Sequence, residues 1–172
     1  YEIAQCLVGS EMCIRDRSYT TMNILFLLKP KCNVAYLNQS DTIRQGLEKM
    51  RHHGYTAIPV IDDNGIYVGT ITEGDFLWNI LSLQKPQVQT ETSTLQYLEQ
   101  YGIANLIRTG WNPAINIYTN MEQLLERVMD QNFVPVIDDR NVFVGIITRK
   151  DVIQYFVQKE QRIPEQLTAV SH

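Results

Sequence analysis

Histidine is scarce in this chain: three in 172 residues. His52 and His53 are neighbours, and His172 is the last residue. The three cysteines, Cys6, Cys13 and Cys32, show neither the paired spacing of a zinc site nor an even-numbered disulfide framework. With so few of both types, no Cys/His or Ser/His/Asp arrangement for nucleophilic catalysis can be composed. The glycine patterns of a P-loop and of a dinucleotide-binding turn are also missing. No apolar run approaches the roughly 20 residues of a membrane span, and the longest, Ile24 to Leu28, is strand-sized. Nor is there the charged head, apolar core and cleavage site of a secretory signal. Positive charge is in deficit, with 15 Lys and Arg against 19 Asp and Glu for a net charge of −4. That balance argues against general nucleic-acid binding while leaving room for a local basic pocket facing a small anion. The expectations are therefore no enzyme chemistry, no resident metal, no nucleic-acid or membrane partner, and a reducing, cytoplasmic compartment.

What the chain does contain is a stretch written twice. Phe133-Val-Pro-Val-Ile-Asp-Asp-Arg-Asn-Val-Phe-Val-Gly-Ile-Ile-Thr-Arg-Lys-Asp151 follows Ala57-Ile-Pro-Val-Ile-Asp-Asp-Asn-Gly-Ile-Tyr-Val-Gly-Thr-Ile-Thr-Glu-Gly-Asp75 at a constant offset of 76 positions. Pro59 and Pro135, Asp62 and Asp138, Gly69 and Gly145, Thr72 and Thr148, and Asp75 and Asp151 fall in register. The chain is an internal duplication. Each copy reads as an apolar strand, a turn, a second strand and a helix start. Asp62-Asp63 and Asp138-Asp139 are turn residues, and Gly69 and Gly145 mark a bulge or a close backbone approach.

Ahead of the first copy, Val34 to Leu37 reads as a strand. Ser40 or Asp41 is placed to cap a helix carrying Ile43, Leu47 and Met50, which Gly54 ends. Ahead of the second, Ala114 to Ile117 is a strand, and Thr119 or Asn120 caps a helix with Met121, Leu124, Leu125 and Val128 inward. Final helices follow from Thr72 to Leu81, with Phe76, Leu77, Ile80 and Leu81 on the apolar side, and from Thr148 to about Lys159. The fold class is α/β (α+β), two βαββα repeats: 22–81, then 111–160. Between them, 82–110 has no counterpart: a polar loop, then a helix over Ser93 to Ile107 with a capping box at Ser93-x-x-Gln96 and Leu95, Leu98, Ile103 and Leu106 buried. Residues 1–21 match neither repeat. They resemble translated read-through of adapter DNA and are set apart as an unstructured or spurious leader, with a genuine flexible tail as the alternative. Residues 161–172 are a frayed tail.

Two units with a Pro-Val-Ile-Asp strand, a Gly-x-Ile-Thr strand end and a Thr-x-x-Asp helix start resemble a tandem pair of CBS domains, the Bateman module, over residues 24 to 158. The resemblance implies that the repeats pack with pseudo-two-fold symmetry, form two clefts for adenosine-type ligands such as AMP, ADP, ATP or cyclic di-AMP, assemble as a homodimer and regulate an effector protein not identified by the sequence. It also implies ligand contacts from Thr56 and Asn132, just before the strands, and from Asn33 and Ala35 bordering the cleft of Asp151.

The residues support this chemically. One carboxylate can accept from both vicinal hydroxyls of a ribose, and Asp75 and Asp151 sit in the first helical turn where they can do so. The helix-start amides, with the hydroxyl of Thr72 or Thr148, suit a phosphate. An adenine ring would lie against Ala57, Ile58 and Pro59 or Phe133, Val134 and Pro135, its edge read by main-chain groups. The bland reading is equally concrete: Thr caps the helix and Asp complements its dipole. The two sites differ, because Arg149 and Lys150 stand where the first has Glu73 and Gly74. The second site is therefore the better one for a charged nucleotide. His52 and His53 either set a pH-sensitive charge near the first cleft or form a solvated helix end. The competing functional reading is a ligand-free dimerisation scaffold.

Overall fold

The computed structural model describes residues 23–82 and 91–168, with side chains described over 23–82 and 96–160. The leader, Cys6, Cys13, residues 83–90 of the expected loop, the side chains of Ser93 and Leu95, and His172 lie outside that description.

Each repeat forms the expected βαββα unit. In the first, β2 (Leu37–Asn38) leads into α1 (Ile43–His53), β3 (Ala57–Ile61), β4 (Tyr67–Thr72) and α2 (Glu73–Ser82). In the second, β5 (Ile115–Asn116) leads into α4 (Met121–Asp130), β6 (Phe133–Ile137), β7 (Phe143–Thr148) and α5 (Arg149–Thr168). Two further elements complete the set: β1 (Lys29–Pro30), and α3 (Glu91–Gln100) between the repeats. The sheets run β2-β3-β4 and β1-β7-β6-β5.

Local chemistry explains most boundaries. Thr42 caps α1: its hydroxyl accepts from Gln45 N at 3.2 Å, and the Gln45 side chain accepts from Thr42 N at 2.8 Å. Neither Ser40 nor Asp41 does so; Asp41 instead accepts from Asn38 N at 2.9 Å in the turn before the helix. Gly54 ends α1 in the left-handed region at φ 65°, and Asn120 caps α4. Asp62 Oδ1 accepts from Asn64 N and Ile66 N, and Asp138 Oδ1 from Arg140 N and Val142 N, so the first aspartate of each pair ties its hairpin turn. The first strands are shorter than expected. Each pairs in parallel with its neighbour over two residues, Leu37 with Val60 and Ile115 with Val136 at the start, and a 3₁₀ turn, Lys31–Asn33, precedes the first.

At the ends of the repeats the structure qualifies one expectation and corrects another. In α2 Phe76 alone is buried; Ile80 is half-buried, and Leu77 and Leu81 are 53% and 44% exposed. The helix lies against the sheet through one side only, so a four-residue apolar stripe exceeds what the repeat can cover. The last helix runs past Lys159 to Thr168.

The stretch expected to lack a counterpart contains one. Ile103–Leu106 is a 3₁₀ turn, as is Ile24–Leu27, and Ile103, Leu106 and Arg108 repeat Ile24, Leu27 and Lys29 at an offset of 79. These leading segments cross over. Ile24 is buried in the core of the second repeat with Ile115, Met121, Leu124, Val134, Val136 and Ile147. Ile103 and Leu106 are buried in the core of the first, with Leu37, Ile43, Met50, Ile58, Val60, Ile71 and Phe76. Lys29 pairs with Ile146 on β7, and Arg108 with Thr70 on β4. The expected single helix over Ser93 to Ile107 is broken at Tyr101-Gly102, where Tyr101 O accepts from Ile43 N and Ile103 N donates to Asp41 O. It also starts at Glu91, so Ser93 is inside the helix and not its cap.

The repeats meet through a third apolar cluster, Val34, Ile61, Phe133, Phe143 and Ile146. Two hydrogen bonds tie their turns reciprocally: Tyr67 N donates to Asn141 O and Phe143 N to Gly65 O, positions related by the offset of 76. This is the pseudo-two-fold axis. Among the described residues no helix is long and apolar enough to cross a membrane.

Candidate functional site

The crossing segments bring a cation to each Thr-x-x-Asp carboxylate. Asp151 Oδ2 accepts from the Thr148 hydroxyl and lies 2.9 Å from Lys29 Nζ. Thr148 Oγ1 accepts in return from Asp151 N at 3.2 Å, so the cap expected of Thr-x-x-Asp is present. In the first repeat Asp75 Oδ2 accepts from Thr72 N and Thr72 Oγ1, and Asp75 Oδ1 accepts from Arg108 Nε at 2.6 Å. Both aspartates therefore serve the helix start and also hold a cation supplied by the leading segment of a repeat. Sequence reading missed Arg108; the signal that would have found it is the repeat of Ile24-x-x-Leu-x-Lys as Ile103-x-x-Leu-x-Arg.

Burial pushes the Asp151 carboxyl upward, but the Thr148 hydroxyl and the Lys29 ammonium outweigh it and hold the group below its ordinary 3.8. The carboxylate is ionised at neutral pH.

Beside Asp151 a cleft of about 270 Å³ opens between the repeats. It is lined by Thr56, Ala57 and Pro59 of the first repeat, Asn132, Phe133, Ile146 and Thr148 of the second, and Lys29, Asn33 and Val34 of the leading segment. The fold thus gathers Asn33, Thr56, Ala57, Pro59, Asn132, Phe133 and Thr148, seven of the residues singled out in the sequence, around one space. An outer groove shares Asn132 and Thr148 with it and adds Arg149, Lys150, Ile153 and Gln154.

Other candidates are placed elsewhere. Ile58 and Val134 are fully buried in the two repeat cores, so a ligand in the cleft could meet only their main chain. Pro135 is buried on β6. Ala35 packs against the first core and lines a separate depression with Tyr36, Lys49 and His53. His53 therefore neighbours the Asp151 cleft through Asn33 and Val34, and not the Asp75 cleft; both histidines are exposed at the end of α1. Arg149, on the groove, also reaches α4: Nε donates to Val128 O at 2.7 Å and Nη2 to Met129 O at 3.1 Å, closing the C-terminus of that helix. Lys150 is exposed on the groove.

The Asp75 side is built differently. Tyr67, Thr70 and Asn112 take the places of the apolar Phe143, Ile146 and Val34. The Tyr67 hydroxyl lies 2.8 Å from Thr70 Oγ1 and donates to Asn112 O at 2.8 Å. Asn112 is 2% exposed and donates from Nδ2 to Phe133 O at 3.1 Å, while its Oδ1 is buried without a partner. Burial pushes the Tyr67 hydroxyl up to about 12, against the opposing bond with Thr70. Arg108 also lies over the Trp111 ring, 5.5 Å from its centroid. Among the described residues no group of three His, Cys, Asp or Glu is disposed to hold a metal.

The family model described as CBS domain matches residues 28–82 and 111–158. A chloroplastic CBS domain-containing protein of Arabidopsis thaliana, CBSX2, is 26% identical over 148 residues, which cover 76% of this chain and 62% of that protein. A CBS domain-containing protein of Dictyostelium discoideum is 22% identical over 76% of this chain and 89% of its own length. The chain spans less than two thirds of the first curated relatives it matches: 62%, 49% and 30% of their lengths. Among solved structures, CbpB in complex with c-di-AMP superposes with a TM-score of 0.76 at 23% identity, covering 92% of this chain and 99% of that one. CBSX2 in complex with AMP superposes with a TM-score of 0.63 at 23% identity, covering 83% and 98%.

Proposed function

The chain belongs to the CBS-domain family, and from that premise we propose that it is a regulatory module that takes an adenosine-containing nucleotide in the Asp151 cleft and signals through a partner protein. The observation that carries this reading is the cleft itself: a space between the repeats lined by Thr148 and Lys29, both bonded to the ionised Asp151 carboxylate, with the exposed Lys150 on the groove outside it. Apolar walls with a few fixed polar groups suit a purine and a ribose phosphate. The ribose hydroxyls would donate to Asp151, sharing it with Lys29 or releasing that ammonium toward the phosphate. The base would lie against Ala57, Pro59 and Phe133. The α5 start would meet the phosphate with the positive end of its dipole, and Lys150 with its charge. The ligands of similar proteins, c-di-AMP for CbpB and AMP for CBSX2, fit the same chemistry, and AMP, ADP, ATP and cyclic di-AMP all present its adenosine end.

Such a module regulates and does not turn over its ligand. Ligand would wedge the repeats and bias the surface a partner or second copy reads. Exposed Leu77, Trp78 and Leu81 on α2, with Ile153 and Val157 on α5, are the surface on which a homodimer would form. They also favour the second reading, a scaffold that dimerises without ligand.

Calorimetric titration of the chain with AMP, ADP, ATP and cyclic di-AMP, followed by chromatography of the recovered nucleotide, tests the proposal. One of them should bind and be returned intact. No heat with any of them would leave the scaffold; a consumed nucleotide would make the chain an enzyme.

A further inference from the structure

The two clefts are related by the pseudo-two-fold axis, yet equivalent positions in them carry different side chains, among them Trp111, which is 40% exposed. Four residues before Leu37, which pairs with Val60, stands Asn33; four residues before Ile115, which pairs with Val136, stands Trp111. One step nearer the strands stand Val34 and Asn112, both buried, at 7% and 2% exposure. The small amide that lines the open Asp151 cleft is thus replaced, on the Asp75 side, by the largest side chain available. Trp111 does not hang free. Arg108 lies over its ring, Arg108 Nε donates to Asp75, and Trp111 O accepts from Gln131 Nε2 at 3.0 Å. Beneath them, Tyr67, Thr70 and Asn112 are joined by hydrogen bonds where the open cleft has apolar Phe143, Ile146 and Val34. The Asp75 side chain is 10% exposed against 22% for Asp151.

We propose that the chain binds one nucleotide, in the Asp151 cleft alone, and that Trp111 with Arg108 closes the Asp75 cleft from within as a built-in occupant. The inference rests on the nucleotide reading given above. The ion pair by itself is a partial barrier, because the Arg108 side chain is 44% exposed and can swing out into solvent. The bulk of Trp111 and the hydrogen bonds of Tyr67 and Asn112 beneath it do the rest, because a ligand would have to break buried hydrogen bonds that it cannot replace. Glu73, at the first helical position where the other site has Arg149, repels any phosphate that enters. The closed cleft is consequently the one whose opening would admit a neutral adenosine before a phosphorylated one.

The test has two arms. In the first, the wild-type chain binds a nucleotide with a stoichiometry of one, and Asp75→Asn changes its affinity by no more than about twofold. A stoichiometry of two, or an Asp75→Asn chain that no longer binds, overturns the proposal. The second arm needs no ligand. In a Trp78→Phe background Trp111 is the sole tryptophan of the sequence. Arg108→Ala should then red-shift its emission and raise its quenching by acrylamide, with no loss of folded signal in far-UV dichroism. Unchanged emission and quenching would show that Arg108 does not hold Trp111 in place and would also overturn the closure. A failure to bind any nucleotide would sink the functional reading, while the second arm would still decide whether the cleft is closed.

Discussion

Between Thr148 and Asp151 stand two adjacent cations, and the fold separates them: Arg149 turns back to the last carbonyls of α4, while Lys150 stays on the groove. A guanidinium offers a fork of donors that matches a helix C-terminus, which a lysine ammonium matches less well. Lys29 makes up the cation that Arg149 withdraws. On the other side of the axis the informative residue is Tyr67. Its hydroxyl is held at about 12 by burial, against 10.0 for an ordinary tyrosine. An acid whose folded pKa is raised contributes stability that is complete below 10.0 and disappears as pH rises through about 12, because the unfolded chain ionises first. Wild-type urea midpoints should therefore fall more steeply than those of Tyr67→Phe above pH 10.0. Parallel curves would mean that the Tyr67 hydroxyl is not held in the buried net with Thr70 and Asn112.

At the scale of elements, β1 lies so close to β7 that only glycine fits. A Cβ on Gly145 would stand 2.1 Å from Lys29 O, whereas one on Gly69 would meet Ile107 Cγ2 at 2.6 Å and Arg108 O at 3.0 Å. A backbone oxygen cannot step aside without moving its strand, while a side-chain methyl can turn. Gly145→Ala should cost about 2 kcal/mol or more in urea unfolding, and Gly69→Ala less. Equal costs would show that β1 is not anchored over Gly145. Both glycines were legible in the sequence as a bulge or close approach, but not the element that approaches. The hairpins, the αL end of α1 at Gly54 and the Asp62 and Asp138 turns were legible because each is encoded within a few residues. The leading segments were not. Ile24-x-x-Leu and Ile103-x-x-Leu lack sustained periodicity, they repeat at 79 and not 76, and their partners lie in the other repeat. The apolar stripe of α2 was legible as a pattern, but not how little of it the repeat covers, since Leu77 and Leu81 face outward.

For the molecule as a whole, duplication gives two clefts, and the departures from symmetry decide between them. Charge difference at 73–74 against 149–150 was visible in the sequence and pointed to the second site. Sequence could not show that Arg149 is diverted, that Lys29 arrives in its stead, or that Trp111 stands where Asn33 leaves space. The first depends on the end of α4, and the other two on a crossing segment whose counterpart is three helices away. The central claim is that Asp151 holds the ribose of an adenine nucleotide in the open cleft. Asp151→Asn keeps the size and a hydrogen-bonding group for Thr148 while removing the charge, so the most direct measurement is its calorimetric titration beside wild type with whichever nucleotide binds. Loss of a charge-assisted acceptor predicts affinity weakened by about 10- to 100-fold with the fold retained. An affinity equal to wild type in a folded Asp151→Asn chain would contradict the account.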